Sequence, residues 1–277
     1  MKSFNKIGIM QGRLSLPINR KIQSFPQNSW KDEFASASSC GFEVIEWIFD
    51  IFEKNPIMQN DGIYEIKEIS DKTGISINSI LADYFMEKKL VNVSEFELEQ
   101  NLNILVKLLE NTSKLNVNML EIPLVDSSSL KTKDEQFQLT KNLEKILPLL
   151  DEYDIFLNFE TDLPPKPFKQ FIESFNHYRI RANYDVGNSA ALGYDVKEEL
   201  SILGNFIQNI HIKDRKYHGN TVSLGFGDVD FDTFFEQIQK INYKGDFIIQ
   251  GARNSDEPPN LTCEKYLKFV KNYVEKY

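Results

Sequence analysis

Phe206-Ile207-Gln208-Asn209-Ile210-His211-Ile212-Lys213-Asp214-Arg215 reads as a short apolar strand that ends in a histidine and a burst of charge. A buried strand that turns polar at its C-terminal end is where α/β proteins place their chemistry. The same event recurs on both sides of this stretch. Strand-like segments end at Met10, Glu46, Asp83, Glu121, Glu160, Asp185, His211 and Gln250, at intervals of roughly 25 to 40 residues. Helix signals fill the intervals. Ser29-Trp30-Lys31-Asp32 resembles a capping box and its helix stops at Gly41; Ser94-Glu95-Phe96-Glu97 is a full capping box. Leu98, Leu102, Leu105 and Leu109 then keep one apolar face, and Leu139, Leu143, Ile146 and Leu150 predict one further helix. Strand-helix alternation at this spacing implies a parallel sheet, and eight units imply closure into a (β/α)8 barrel. The expectation is an α/β chain whose residues 1–277 form a single domain. An open doubly wound sheet is the alternative, but no Gly-rich dinucleotide fingerprint follows the first strand.

The composition sets the outer limits. The chain has 277 residues, 41% of them hydrophobic, and no long apolar run, so no membrane-spanning helix is expected. Nothing in Met1-Lys2-Ser3-Phe4-Asn5-Lys6 resembles a signal peptide, and the two cysteines, Cys40 and Cys263, lie far apart on predicted helices. A reduced, cytoplasmic protein is expected. A net charge of −9 disfavours broad nucleic-acid binding, which needs a basic face. A homo-oligomer is compatible with these features.

Any one polar strand end is ordinary rim polarity. Glu160, Asp185, His211 and Gln250 belong to consecutive strands, however, and the strand ends of a barrel converge on one mouth. Two carboxylates and an imidazole suit one divalent cation, with manganese, magnesium, cobalt and zinc all compatible. Arg13, Lys213, Arg215 and Arg253 each follow a strand end and fit a phosphate or carboxylate on a substrate. Gly225 and Gly227 would let backbone amides approach the same anion. Glu46, Asp83 and Glu121 are candidates to hold substrate hydroxyls, with Trp47, Tyr84 and Phe85 as an apolar wall. His177 has no strand-end context and reads as structural, and His218 as a loop residue.

The chain resembles the xylose isomerase-like barrels, which include sugar-phosphate isomerases and epimerases. The resemblance runs through Ile7-Gly8-Ile9-Met10-Gln11-Gly12-Arg13-Leu14, Asn158-Phe159-Glu160, Tyr184-Asp185-Val186-Gly187-Asn188, His211-Ile212-Lys213-Asp214 and Gly225-Phe226-Gly227-Asp228-Val229-Asp230-Phe231. It implies metal ligands at Glu160, Asp185 and His211, with Gln250 where the family has a second Glu. It also implies Asn188 where the family often has His. Family epimerases use two glutamates on opposite sides of a substrate carbon, and Gln250 removes one, since an amide takes no proton near neutral pH. One base suffices for another route. Glu160 would take a proton to form an enediolate and return it to the neighbouring carbon, with Lys213 as acid or electrostatic partner. The expected partner is a small sugar or sugar phosphate. A dehydratase and a sugar-binding barrel without turnover are the alternatives. The family's zinc-cluster DNA-repair endonucleases fit less well, because three histidines in all are few for three zinc ions.

Overall fold

A computed structural model describes residues 5–277. The segment Met1 to Phe4, part of the leader reading, lies outside the described residues. The strands are β1 (Ile7–Met10), β2 (Val44–Ile48), β3 (Ser76–Leu81), β4 (Met119–Leu124), β5 (Phe156–Thr161), β6 (Ile180–Asp185), β7 (Ile207–Ile212), β8 (Asp214–Arg215), β9 (Thr221–Val222) and β10 (Phe247–Ile249). Eight of them close a parallel barrel in the order β1-β10-β7-β6-β5-β4-β3-β2, while β8 and β9 form a small antiparallel ribbon above it. The expected (β/α)8 barrel is the fold.

Alternation along each strand separates two environments. In β5, Phe159 points outward, packs at a tilt on Phe171 of the helix Pro165–Ser174 and stacks on Phe175, the residue that ends that helix. Its neighbours Asn158 and Glu160 take the other face. In β6, Tyr184 stacks on Phe234 of the helix Phe231–Lys240 while Asn183 and Asp185 take the other face. Each fully buried aromatic ring of this outer layer contributes roughly 2–3 kcal/mol of hydrophobic stabilisation. The apolar core is therefore largely between sheet and helices, which leaves the upper barrel interior free to be polar. No helix among the described residues is long and apolar enough to cross a membrane.

Several local expectations are revised. Ser29 precedes the helix Trp30–Cys40 but makes no side-chain cap; its hydroxyl bonds Ser15 Oγ at 2.8 Å instead. Ser94 and Glu97 do form the reciprocal capping box. The single helix expected through Leu139 and Leu150 is two, Lys133–Asn142 and Leu147–Glu152, because Pro148 opens the second. A helix not foreseen, Val186–Leu192, begins directly at Asp185, whose carboxylate caps it by accepting from Asn188 N. Both cysteines are free and lie on helices, as the sequence indicates.

The loop after β1 is tied to the first helix by a buried carboxylate. Gly12 N donates to Glu33 Oε2 at 2.7 Å, and burial pushes the Glu33 carboxyl up to about 7 against the opposing bonds and the Arg253 charge. A carboxyl raised in the folded state is equally neutral in both states below the unfolded value of 4.5; stability is then lost as pH rises from there to about 7. Replacing Glu33 with Gln keeps an oxygen for Gly12 N and removes the charge. Glu33→Gln is expected to be more stable than wild type at pH 8 by up to about 3 kcal/mol, with the gain vanishing near pH 4.5. Urea denaturation at the two pH values measures it.

Candidate active site

Strand register brings the polar ends together. Asp185 of β6 pairs with His211 of β7, and His211 pairs with Ile248 of β10, two residues before Gln250. Ligand atoms of Glu160, Asp185 and His211 all lie within 4.8 Å of one another, and all three residues are buried. Of the three, Glu160 lines a mouth cavity of about 440 Å3, together with Arg13, Gln23, Asp83, Lys213, Arg215 and Gln250, while Asp185 and His211 do not reach its wall.

Each member is held from several sides. Glu160 Oε2 accepts from Asn183 Nδ2 at 2.9 Å and Oε1 from Asn188 Nδ2 at 2.6 Å. Burial alone would raise this carboxyl, but the His211 imidazole, Lys213 and Asn188 outweigh it and hold it below the usual carboxylate range. Asp185 Oδ2 lies 2.9 Å from Lys213 Nζ, an ionic contact without an aligned hydrogen bond. His211 Nε2 faces Glu46 Oε2 at 2.7 Å and Glu121 Oε2 at 3.3 Å, and Nδ1 faces Glu160 Oε2 at 3.3 Å. Burial pulls the imidazole down, yet the surrounding carboxylates push it well above its ordinary value. A proton on His211 and the Lys213 ammonium thus neutralise a cluster that a divalent cation could neutralise equally well. Gln250 Oε1, buried without a hydrogen-bond partner, and Asp185 Oδ2, met only by the Lys213 charge, strengthen the fit.

Gln250 is anchored through its own amide. Its Nε2 donates to Gln23 Oε1 at 2.9 Å, and Gln23 Nε2 donates in turn to Asp83 Oδ2 at 2.6 Å. Arg13 Nη2 also donates to Gln23 Oε1, at 3.1 Å. Asn188 Oδ1 accepts from Arg215 Nη1 at 2.9 Å, so Asn188 connects Glu160 to the cationic edge of the mouth.

Other expected site residues are placed elsewhere. Glu46 and Glu121 are fully buried and, like Asp185 and His211, do not line the mouth cavity; with His211 they form a second buried carboxylate–imidazole group. The reason is strand length: β2 continues to Ile48 and β4 to Leu124, which leaves both carboxylates a layer below the rim. There Glu46 accepts from Ser79 Oγ at 2.6 Å and Asn209 Nδ2 at 2.9 Å. Burial and the Glu46 charge push the Glu121 carboxyl up to about 8. Arg253 is spent on the loop after β1, donating to Ile22 O, Ser15 O and Gly12 O. The amides of Gly225 and Gly227 meet no open anion pocket, because both donate to Asp214 Oδ2, at 2.9 and 2.8 Å. Trp47 is buried with its Nε1 on Asn55, and Tyr84 and Phe85 pack against each other; Leu81, Met86, Pro123 and Val125 form the apolar wall instead. His177 faces Asp151, away from the mouth, and His218 stacks beside Tyr217.

Sequence reading missed Gln23, a lone polar residue in a loop. It also missed Asn183 and Asn209, although a signal existed. Asn158-x-Glu160, Asn183-x-Asp185 and Asn209-x-His211 repeat one pattern in three consecutive strands, which places an asparagine under each site residue on the same inward face.

Fold and site together define a (β/α)8 barrel with a carboxylate–imidazole centre in its C-terminal mouth. The chain belongs to the xylose isomerase-like TIM barrel family, whose pattern matches residues 34–273. It is 24% identical over 275 residues to SgbU of Haemophilus influenzae, covering 92% of this chain and 95% of that protein, whose name carries a provisional L-ribulose-5-phosphate 3-epimerase assignment. It is 22% identical over 259 residues to the L-ribulose-5-phosphate 3-epimerase UlaE of Shigella flexneri, covering 89% of this chain and 90% of that one. Among solved structures, an L-ribulose 3-epimerase superposes with a TM-score of 0.81 at 17% identity, over 98% of this chain and 95% of the other. The D-psicose 3-epimerase of Clostridium cellulolyticum superposes at 0.78 and 13% identity, over 97% and 99%.

Arg253 provides a direct check on its placement. Losing three charged bonds to backbone carbonyls should cost about 2 kcal/mol, or roughly 5 °C in melting temperature. Arg253→Met is therefore expected to melt earlier while binding inorganic phosphate no more weakly than wild type. A calorimetric scan and a phosphate titration measure the two effects.

Proposed function

We propose that this chain is a divalent-metal-dependent epimerase or isomerase of a ketose or ketose phosphate. The observation that carries the reading is the convergence of Glu160, Asp185 and His211 in one buried cluster that opens, at Glu160, onto a cavity also lined by Lys213 and Arg215. The names of the relatives, L-ribulose-5-phosphate 3-epimerases, agree with it. Glu160, Asp185 and His211 would hold the ion, with the free Oε1 of Gln250 as a fourth ligand. When bound, it would supply Lewis-acid stabilisation of the negative charge that develops as a substrate carbonyl enolises.

The protein's own groups divide the remaining work. Glu160, held ionised by its surroundings, takes the proton from the carbon beside the carbonyl. Asn183 and Asn188 fix its two oxygens and so its orientation. Arg215 and Lys213, on the β7 side, bind the anionic end of the substrate, with Arg13 entering from the loop after β1. Leu81, Met86, Pro123 and Val125 keep water from one flank of the reacting carbons. Arg253, Glu46 and Glu121 have no direct substrate role in this reading.

Gln250 favours a second reading, a sugar-binding barrel without turnover, because the amide cannot exchange a proton. One experiment separates the two. Protein loaded with Mn(II) is incubated with L-ribulose 5-phosphate in deuterated water and followed by NMR. Deuterium is expected to enter at the carbon beside the carbonyl, and Glu160→Gln should slow that entry by about 10²–10⁴-fold. His211→Ala is expected to lose most of its bound manganese by elemental analysis. Tight sugar-phosphate binding with no exchange in the wild type would favour the binding reading instead.

A further inference from the structure

We propose that Asp83 is the second proton-transfer group of this site, serving the face of the substrate that Glu160 does not reach. This rests on the enediolate reading above and extends it to a residue outside the metal-ligand set.

The position follows from topology and from one bridging amide. Asp83 follows β3, which lies opposite β7 in the eight-membered ring, so it enters the mouth across from His211 and Lys213. Glu160, on β5 two strands away in the ring, and Asp83 line the same cavity. Gln23 ties Asp83 to Gln250. Its Nε2 donates to Asp83 Oδ2 at 2.6 Å while its Oε1 accepts from Gln250 Nε2 at 2.9 Å and Arg13 Nη2 at 3.1 Å. Gln23 is thereby locked in one orientation, and it fixes the carboxyl without neutralising it. Gln250 brings an amide to this bridge, and Asp83 brings the exchangeable proton that the amide lacks.

The protonation state suits the task. Burial pushes the Asp83 carboxyl up to about 7; the bond from Gln23 opposes this, the Glu160 and Asp50 charges add to it, and His211 opposes it. Arg13 is the other cation near it. Near neutrality Asp83 is divided between acid and carboxylate, the condition for giving a proton in one direction and taking it in the other.

The step balances. The Glu160 carboxylate takes the proton from the carbon beside the carbonyl. The C–H electron pair becomes the carbon–carbon double bond, and the carbonyl π pair moves to oxygen. The Asp83 acid then donates its proton to that same carbon from the other face as the carbonyl re-forms. Glu160 ends protonated and Asp83 ionised, and exchange with water resets both. From the epimeric substrate the two groups swap roles.

The test uses Asp83→Asn, loaded with Mn(II), and each of the two 3-epimers of the ketopentose 5-phosphate separately in deuterated water. With one base left, deuterium should still enter the epimer that Glu160 deprotonates. Exchange from the other epimer should be lost, and interconversion should fall at least about 100-fold. A purely structural defect would lower both exchanges together. Asp83→Glu, which keeps an acid, should restore interconversion. Undiminished interconversion in Asp83→Asn, or equal loss from both epimers, would overturn the assignment. A wild type that exchanges neither epimer would instead bring down the enediolate reading and this proposal with it.

Discussion

One imidazole holds together the polar interior of this barrel. His211 is fully buried and lies within 3.3 Å of carboxylate oxygens from Glu46, Glu121 and Glu160, which come from three different strands. Three ionised carboxylates in a dry barrel would repel strongly. Removing one partner of a buried ion pair typically costs about 3–5 kcal/mol, because the remaining charge is left unpaired. The protein avoids this in two ways. The surrounding carboxylates push the His211 imidazole well above its ordinary value, and burial with the Glu46 charge pushes the Glu121 carboxyl up to about 8, so both groups favour holding a proton. The interior below the mouth is thus a charge-balanced layer on which the more accessible groups rest.

That layer explains which parts of the site were legible in the sequence. Glu160, Asp185 and His211 were readable because each lies at or beside the last residue of its strand, where period-2 alternation and an abrupt gain of polarity coincide. Glu46 and Glu121 look the same locally. Their depth depends on how far β2 and β4 continue, and β4 runs on through Pro123 to Leu124. Strand length in a barrel is set by neighbours: Pro123 pairs with Glu160 and Leu124 with Thr161 across β5. A single segment cannot display that constraint. The asparagine beneath each site residue, by contrast, was written in the sequence as a repeat.

The loops were less legible for a different reason. A glycine pair and an arginine after a strand have the same appearance whether they face a ligand or another loop. Gly225 and Gly227 turn their amides onto Asp214, and a Cβ at Gly227 would fall 1.8 Å from Asp214 Oδ1, so that glycine serves the loop's own closure. Arg253 likewise gathers three carbonyls of the loop after β1. The Arg253 contacts fix the backbone that leads up to Gln23. Gln23 in turn fixes Asp83 and Gln250, so the loop contacts reach the mouth through a single side chain.

The replacement of a family glutamate by Gln250 follows the same electrostatic logic. The barrel already holds Glu46, Glu121, Glu160 and Asp185 around His211 and Lys213. A further carboxylate at position 250 would add a negative charge beside Gln23 Oε1, an acceptor that now receives the Gln250 amide. An amide there donates that bond and still leaves its Oε1 free. Asp83 stands apart from the crowded cluster, partly accessible at the β3 side, and its carboxyl is raised, whereas that of Glu160, among cations, is lowered. Two carboxyl groups pushed in opposite directions within one cavity can hold one proton between them and pass it either way. Two equally acidic groups packed around His211 would both stay ionised and could only remove protons.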